Sequence, residues 1–228
     1  MKRKVIMKKF IDLTLPIVPH WRYPIEIRPV KSIPNGDAAN ATFFTMQTHW
    51  YTHIDAPLHQ VDGGKTMQDY PVENTIGKAT VLDVSYVEAN QPITAEMLKA
   101  ALGDTEPTKI ILVKTCWQLK TEWQSHDYWD EAPYMTEDAA IYLASLQPKV
   151  VGFDFPQDYD IRKLRFGVDE HQCSLTTHIH ILKKDIQMIE YMTNMWNIKS
   201  KVVDFIGLPT MLDNIDGAQI RCVAIEEE

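Results

Sequence analysis

The stretch THWYTHIDAPLHQ, residues 48–60, carries His49, His53, Asp55 and His59 at even separations. Imidazole nitrogens and carboxylate oxygens are the donors that hold Zn²⁺ or Mn²⁺, and one carboxylate can bridge two ions through its two oxygens. A helix would bring residues four apart onto one face, but Pro57 interrupts it, and Trp50, Tyr51, Thr52 and Ile54 favour extended chain. In a strand, even spacing puts all four polar groups on one side. Fully extended, the segment would span about 33 Å, so a bend at Ala56–Pro57 must return His59 to the others. The competing reading is a solvated polar edge, or histidines satisfied by backbone partners. Three histidines interleaved with an aspartate weigh against it.

These side chains must be held by a folded scaffold, and the chain has the means to build one. Its 228 residues and 26.3 kDa suit a single domain over residues 11–228, and 45% hydrophobic with 24% charged residues is ordinary for a soluble globular protein. The net charge of −8 excludes the basic footprint that general nucleic-acid binding requires. Residues 1–10, MKRKVIMKKF, read as a basic N-terminal extension without the apolar core of a secretory signal. No apolar run is long enough to span a bilayer, so a cytoplasmic location without membrane contact is expected. Cys116, Cys173 and Cys222 are odd in number and show no C-x-x-C spacing, which points to buried thiols rather than disulfides or a thiolate metal site.

Alternation in KKFIDLTLPI predicts a first strand, followed through residues 20–40 by proline-rich loop or loop broken by short strands. Further strands are expected in ATVLDVSYV (79–87), KIILVKT (109–115), KVVGFDF (149–155), from Ile186 onward, and in IRCVAIEE near the end. Helices are expected after Thr94 and Thr136, both cap-like, and in TTHIHIL before a KKD turn. Strands alternating with single helices give a mixed α/β fold with an irregular N-terminal third.

The run H-W-Y-T-H-I-D-A-P-L-H resembles the H-x-G-T-H-x-D-x-P-x-H signature of the cyclase-like metal-dependent hydrolase family, which includes bacterial kynurenine formamidases and isatin hydrolases. ILVKTCW and MTEDAAIYLASLQPKVVGFDFPQ are similar to further segments of that family, and His178 and Glu190 repeat its later histidine–glutamate spacing of twelve residues. The resemblance implies a swivelling β/β/α fold with a mixed sheet, and assembly as a homodimer or homotetramer. It implies His49, His53 and Asp55 as ligands of a first ion, with Asp55 facing both ions in two-metal members. His178 would bind a second ion and Glu190 would bridge, giving one or two divalent ions, Zn or Mn, per chain. His59 matches the general acid/base, and Trp21 an aromatic lining the substrate pocket. His180 is the weaker match for the later histidine, since its distance to Glu190 is ten.

The implied activity is hydrolysis of a small-molecule substrate, an amide, N-formyl amide or lactam, by water that a divalent ion makes acidic. An imidazole such as His59 would take a proton from water and deliver it to the leaving nitrogen. Departures are informative. Tyr51 stands at the signature glycine; by strand parity its ring points to the ligand side, where it would line the substrate pocket, and the competing reading packs it into the core. Cys116 replaces another usual glycine, and Gln157 a common serine. These changes support the alternative of a non-catalytic metal- or small-ligand-binding protein on the same scaffold. Asp154, at the end of an apolar strand, could orient a ligand histidine, but a structural hydrogen bond is the favoured reading, and Asp158, Asp160, Asp169 and Glu170 are read as solvated loop charges. No G-x-S-x-G nucleophile motif occurs.

Overall fold

Ile110–Lys114 and Val150–Phe153 are buried along their whole length. Strands apolar on both faces need cover on both sides, as in the parallel part of an α/β sheet. A computed structural model of the chain, which describes residues 7–227 apart from the side chain of Glu170, shows that cover. Ile110 and Leu112 face one cluster with Ile54, Ile189 and Phe205, while Ile111 and Val113 face the other way, towards Leu98 and Leu143 of the helices.

In chain order the strands are β1 (Lys8–Asp12), β2 (Glu26–Lys31), β3 (Ala41–Thr45), β4 (His53–Asp55), β5 (Ile76–Asp83), β6 (Pro92–Ile93), β7 (Ile110–Lys114), β8 (Tyr134–Met135), β9 (Val150–Phe153), β10 (Gln187–Glu190), β11 (Val202–Pro209) and β12 (Gly217–Glu227). The helices are α1 (Ala95–Leu102), α2 (Asp127–Asp130), α3 (Glu137–Ser145) and α4 (Thr176–Leu182). An eight-stranded mixed sheet runs β1-β12-β11-β5-β7-β9-β10-β4, and a further β4–β12 pairing closes it into a barrel-like arrangement. The pairs β5–β7, β7–β9 and β9–β10 are parallel, and the rest of this sheet is antiparallel.

Local chemistry accounts for the helices. The Thr94 hydroxyl accepts from the Met97 N–H at the start of α1, which buries Leu98 and Leu102 one turn apart. Thr136 does not cap α3 with its side chain; its hydroxyl donates to Ile93 O instead.

Two expectations are corrected. Strand β1 begins at Lys8 and pairs with β12, so residues 8–10 belong to the sheet, while residues 1–6 of the expected extension lie outside the described residues. Residues 26–45 contain a hairpin, β2–β3, in keeping with the loop broken by short strands, and its Ile27, Val30 and Phe44 are half-exposed or more. Its sequence lacks strict alternation because neither face is buried against the barrel, and β11 is a strand the sequence reading does not include. Cys116 and Cys222 are buried as expected, but Cys173 is only half-buried. Among the described residues no helix is long and apolar enough to cross a membrane.

Candidate metal centre

The extended reading of residues 48–60 holds only for β4. Residues 48–52 form turns, and Pro57–His59 is a 3₁₀ turn that supplies the anticipated bend. The three residues of β4 lie between β10 and β12, antiparallel to both. The register sets His53 opposite Glu190 and Asp55 opposite Gly217. Cross-strand partners share a face, as do residues two apart, so His53, Asp55 and Glu190 converge.

His53 Nε2 lies 2.9 Å from Glu190 Oε2 and 3.2 Å from Asp55 Oδ1. From α4, His178 Nε2 lies 3.4 Å from Glu190 Oε1 and 3.6 Å from Asp55 Oδ2. From the turn before β4, His49 Nδ1 comes within 2.8 Å of Asp55 Oδ1. Two triads have donor atoms within 4.8 Å of one another: His49, Asp55 and His59; and His53, Asp55 and Glu190. All six residues marked in the sequence for ligation or acid–base work therefore meet at one place, with Asp55 common to both triads.

Each of three imidazoles has its other nitrogen occupied. His53 Nδ1 donates to Tyr51 O at 2.8 Å, His178 Nδ1 to Asp158 Oδ2 at 2.5 Å, and His49 Nε2 to Asp216 Oδ2 at 2.9 Å. Metal-ligating histidines are held in this way, because the outer acceptor fixes the tautomer and aims the free lone pair. The inner nitrogens then confront carboxylates, acceptor against acceptor, unless a proton or a metal cation stands between them. His53 Nε2 and Asp55 Oδ2 are buried and lack a hydrogen-bond partner among the described residues. The donor set, its burial and these unpartnered atoms fit a divalent cation.

Electrostatics describe the same demand for positive charge. Burial acts to lower the His53 pKa, yet Asp55 and Glu190 carry it up to about 10. His178 is likewise raised against burial by Glu190 and Asp158, and His49 against burial by Asp55. Burial would raise both carboxylates, but His53 and His49 hold Asp55, and His178 and His53 hold Glu190, well below the usual range. His59 differs: burial dominates and lowers it to about 4, leaving a neutral imidazole stacked 3.8 Å from the His49 ring.

A cavity of about 560 Å³ opens over His49, His59, His178 and Glu190. Trp21 lines it, with its indole N–H donating to Gln124 O and its ring against His126. Arg22, Tyr23 and Trp50 line it too. Arg165 also borders it but is committed to Asp130 through two guanidinium contacts.

The comparisons with known proteins agree with this fold. A family model described as "Putative cyclase" matches residues 11–157. The chain belongs to the cyclase family. A kynurenine formamidase of Bacillus mycoides (strain KBAB4) is 24% identical over 220 residues, covering 94% of this chain and 96% of that protein. Isatin hydrolase A from Labrenzia aggregata, solved with benzyl benzoate, superposes with a TM-score of 0.76 at 19% identity, over 97% of this chain and 94% of its own. A structure described as a potential metal-dependent hydrolase with cyclase activity gives 0.70 at 24% identity, over 97% and 100%. These likenesses support a hydrolase on a cyclase-family fold.

Within that family pattern, Tyr51 and Cys116 stand where glycine is usual, and both have left-handed backbone, φ 57° and 55°. Glycine suits these positions because of backbone conformation rather than room beside the ligands. The strand-parity expectation for Tyr51 is corrected: the left-handed turn directs the ring away from the cavity into the core, 1% exposed, 4.8 Å from Tyr23, with its hydroxyl donating to Val18 O. It therefore does not line this cavity. Gln157, fully buried, donates its amide to Glu190. Asp154 accepts from Thr115 and from the Cys116 N–H, the structural role expected.

Asp158 is no solvated loop charge: it is 1% exposed and takes both the His178 ring and the Thr177 N–H. Asp160 is also largely buried, accepting from the Ser174 N–H. Asp169 is exposed as expected, and the side chain of Glu170 lies outside the described residues. His180 faces Glu137 away from the centre. Asp216 was missed because an Asp-Gly pair before a strand reads simply as a turn.

Proposed function

We propose that this chain is a metal-dependent amidohydrolase acting on a small amide, N-formyl amide or lactam, of arylformamidase-like or cyclic-amide type. His49, His53, Asp55, His178 and Glu190 would hold one or two divalent ions, Zn²⁺ or Mn²⁺. One observation carries the reading: three imidazoles present one nitrogen each to two buried carboxylates and have the other nitrogen tied to an outer acceptor. A bound divalent ion supplies acidification of water and polarisation of a substrate carbonyl.

The remaining work falls to this chain's residues. Among the described residues His59 has no outer partner within hydrogen-bond distance, and its Nδ1 lies 3.9 Å from Asp216 Oδ2. With its pKa lowered to about 4 by burial, it is a free base at neutral pH. It would accept the proton of the attacking water and return it to the leaving nitrogen. The aromatic wall of Trp21, Tyr23 and Trp50 suits a flat organic group. Arg22, stacked 4.3 Å from the Trp129 ring centroid, has no carboxylate in ion-pair range among the described residues, and would meet a carbonyl or anionic group of the substrate.

A homodimer or homotetramer is part of this proposal. The exposed apolar side chains of the β2–β3 hairpin, Ile27, Val30 and Phe44, are its support. The deciding experiment strips the protein with a chelator, reloads it with Zn²⁺ or Mn²⁺, and assays N-formylkynurenine, isatin and simple lactams. Activity that survives stripping refutes the proposal. Stoichiometric metal without turnover on any of the panel favours a binding protein on the same scaffold.

A further inference from the structure

We infer that the dipeptide Asp216–Gly217, at the entrance to β12, is a positioning device for His49 that fixes which of its two nitrogens faces the carboxylate centre. The inference rests on the metal-dependent reading above and goes beyond it, because it concerns residues outside the ligand set and far from it in sequence.

Gly217 is the cross-strand partner of Asp55 on β4. A Cβ at this position would lie 2.7 Å from His49 Cε1, closer than such carbons approach, and a tight 3.2 Å from His49 Nδ1. The missing side chain therefore leaves the space against the start of β12 that the imidazole occupies beside Asp55. Backbone carbonyl contact reinforces the constraint, since the same Cβ would come 3.0 Å from Ile54 O. Here glycine is required by close approach, not by its torsion angles.

Asp216 sets the ring's orientation. Its Oδ2 accepts from His49 Nε2 at 2.9 Å, while its Oδ1 accepts the Thr48 hydroxyl at 3.1 Å. Its own carbonyl is anchored by the Ala56 N–H at 2.8 Å. From the same strand, the Gln219 amide donates to Gln47 O at 2.8 Å and Thr48 O at 3.1 Å. The start of β12 thus grips the turn carrying His49 at backbone and side chain together. With Nε2 tied to Asp216, Nδ1 is the nitrogen that faces Asp55 Oδ1, 2.8 Å away, and is the one left to a metal ion when its own proton departs. The two ring nitrogens point to opposite edges of the imidazole, so Asp216 acts through His49 and is a positioning residue rather than a ligand of the same ion.

The test compares Asp216→Ala, Asp216→Asn and Gly217→Ala with the unaltered protein. Zn²⁺ dissociation constants are measured by competition with a chromophoric chelator, and histidine tautomers by long-range ¹H–¹⁵N correlation of the zinc-loaded protein. Asp216→Ala is expected to weaken Zn²⁺ binding about 10–100-fold, the range for loss of an outer partner, and to erase the fixed Nε2–H tautomer of His49. Asp216→Asn, which keeps an acceptor oxygen, recovers most of the affinity. Gly217→Ala, by displacing the ring, weakens binding while His53 and His178 keep their tautomers; should it fail to fold, the Asp216 pair decides. Unchanged affinity and tautomer in Asp216→Ala overturn this inference alone. Affinity lost equally in Asp216→Ala and Asp216→Asn, with lowered melting temperature of the metal-free forms, overturns it in favour of a general structural role. An unaltered protein that binds no Zn²⁺ overturns the metal-dependent reading and this inference with it.

Discussion

Adding Zn²⁺ to the metal-free protein at pH 7.5 is expected to expel protons. An imidazolium has no lone pair to offer, so each ligating histidine must be neutral before it binds. In the metal-free fold burial disfavours charge on His53, but Asp55 and Glu190 prevail and bring its pKa to about 10, so it stays protonated at pH 7.5. One proton should therefore leave His53 when the centre takes up metal, and His178 and His49, also shifted upward against burial, add to the release. The sign follows: raised pKa values mean that protons compete with the metal, so affinity climbs with pH. Each displaced imidazolium contributes about tenfold, or ~1.4 kcal/mol, per pH unit. For His53 alone that is about 100-fold over two pH units, flattening as pH approaches its pKa of about 10. The same shift makes the metal-free fold lean on the imidazolium. That contribution is complete below the unfolded histidine value near 6.5 and is lost as pH rises through about 10. Calorimetry at pH 7.5 in buffers of different ionisation enthalpy counts the protons, and chelator competition across the pH range gives the slope. Zero proton release with a pH-independent affinity would refute the reasoning, since it would mean that the imidazoles do not balance Asp55 and Glu190.

Replacing His59 with Ala should lower turnover about 10²–10⁴-fold, the worth of a positioned acid–base group, with zinc content as in the unaltered protein. Parallel loss of zinc would make His59 a ligand, a role its grouping with His49 and Asp55 would then explain. Tyr51→Phe should leave turnover unchanged and cost about 1 kcal/mol in thermal or urea unfolding, from the lost bond to Val18 O. Tyr51→Gly relieves ~1–2 kcal/mol of left-handed strain but deletes a buried ring worth ~3–5 kcal/mol, so a net loss of stability is expected; a gain would show that the ring packs poorly. Phe44→Glu on the exposed hairpin should shift the mass seen by light scattering towards the monomer, and an unchanged oligomer would remove the hairpin from the interface.

The chemistry of the centre was legible because ligand types are local facts. His49, His53, Asp55 and His59 crowd one short segment, and His178 and Glu190 repeat a known spacing. The parallel strands were legible as well, since burial on both faces leaves unbroken apolar runs such as Ile110–Val113. Tyr51 misled because parity assumes a continuous strand, and a residue at φ 57° breaks it. Asp158 misled because an aspartate in a polar segment looks solvated until the element it faces is known.

By itself, then, the chain determined which groups could bind and move protons, because those properties belong to side chains. Tertiary structure alone decided how they are shared. Seating β4 between β10 and β12 puts Glu190 against His53 and leaves Gly217 open for His49, while folding α4 back over the sheet brings His178 and its partner Asp158 to the same carboxylates. Such pairings depend on strand register and long-range packing between segments more than a hundred residues apart, and no local pattern encodes them.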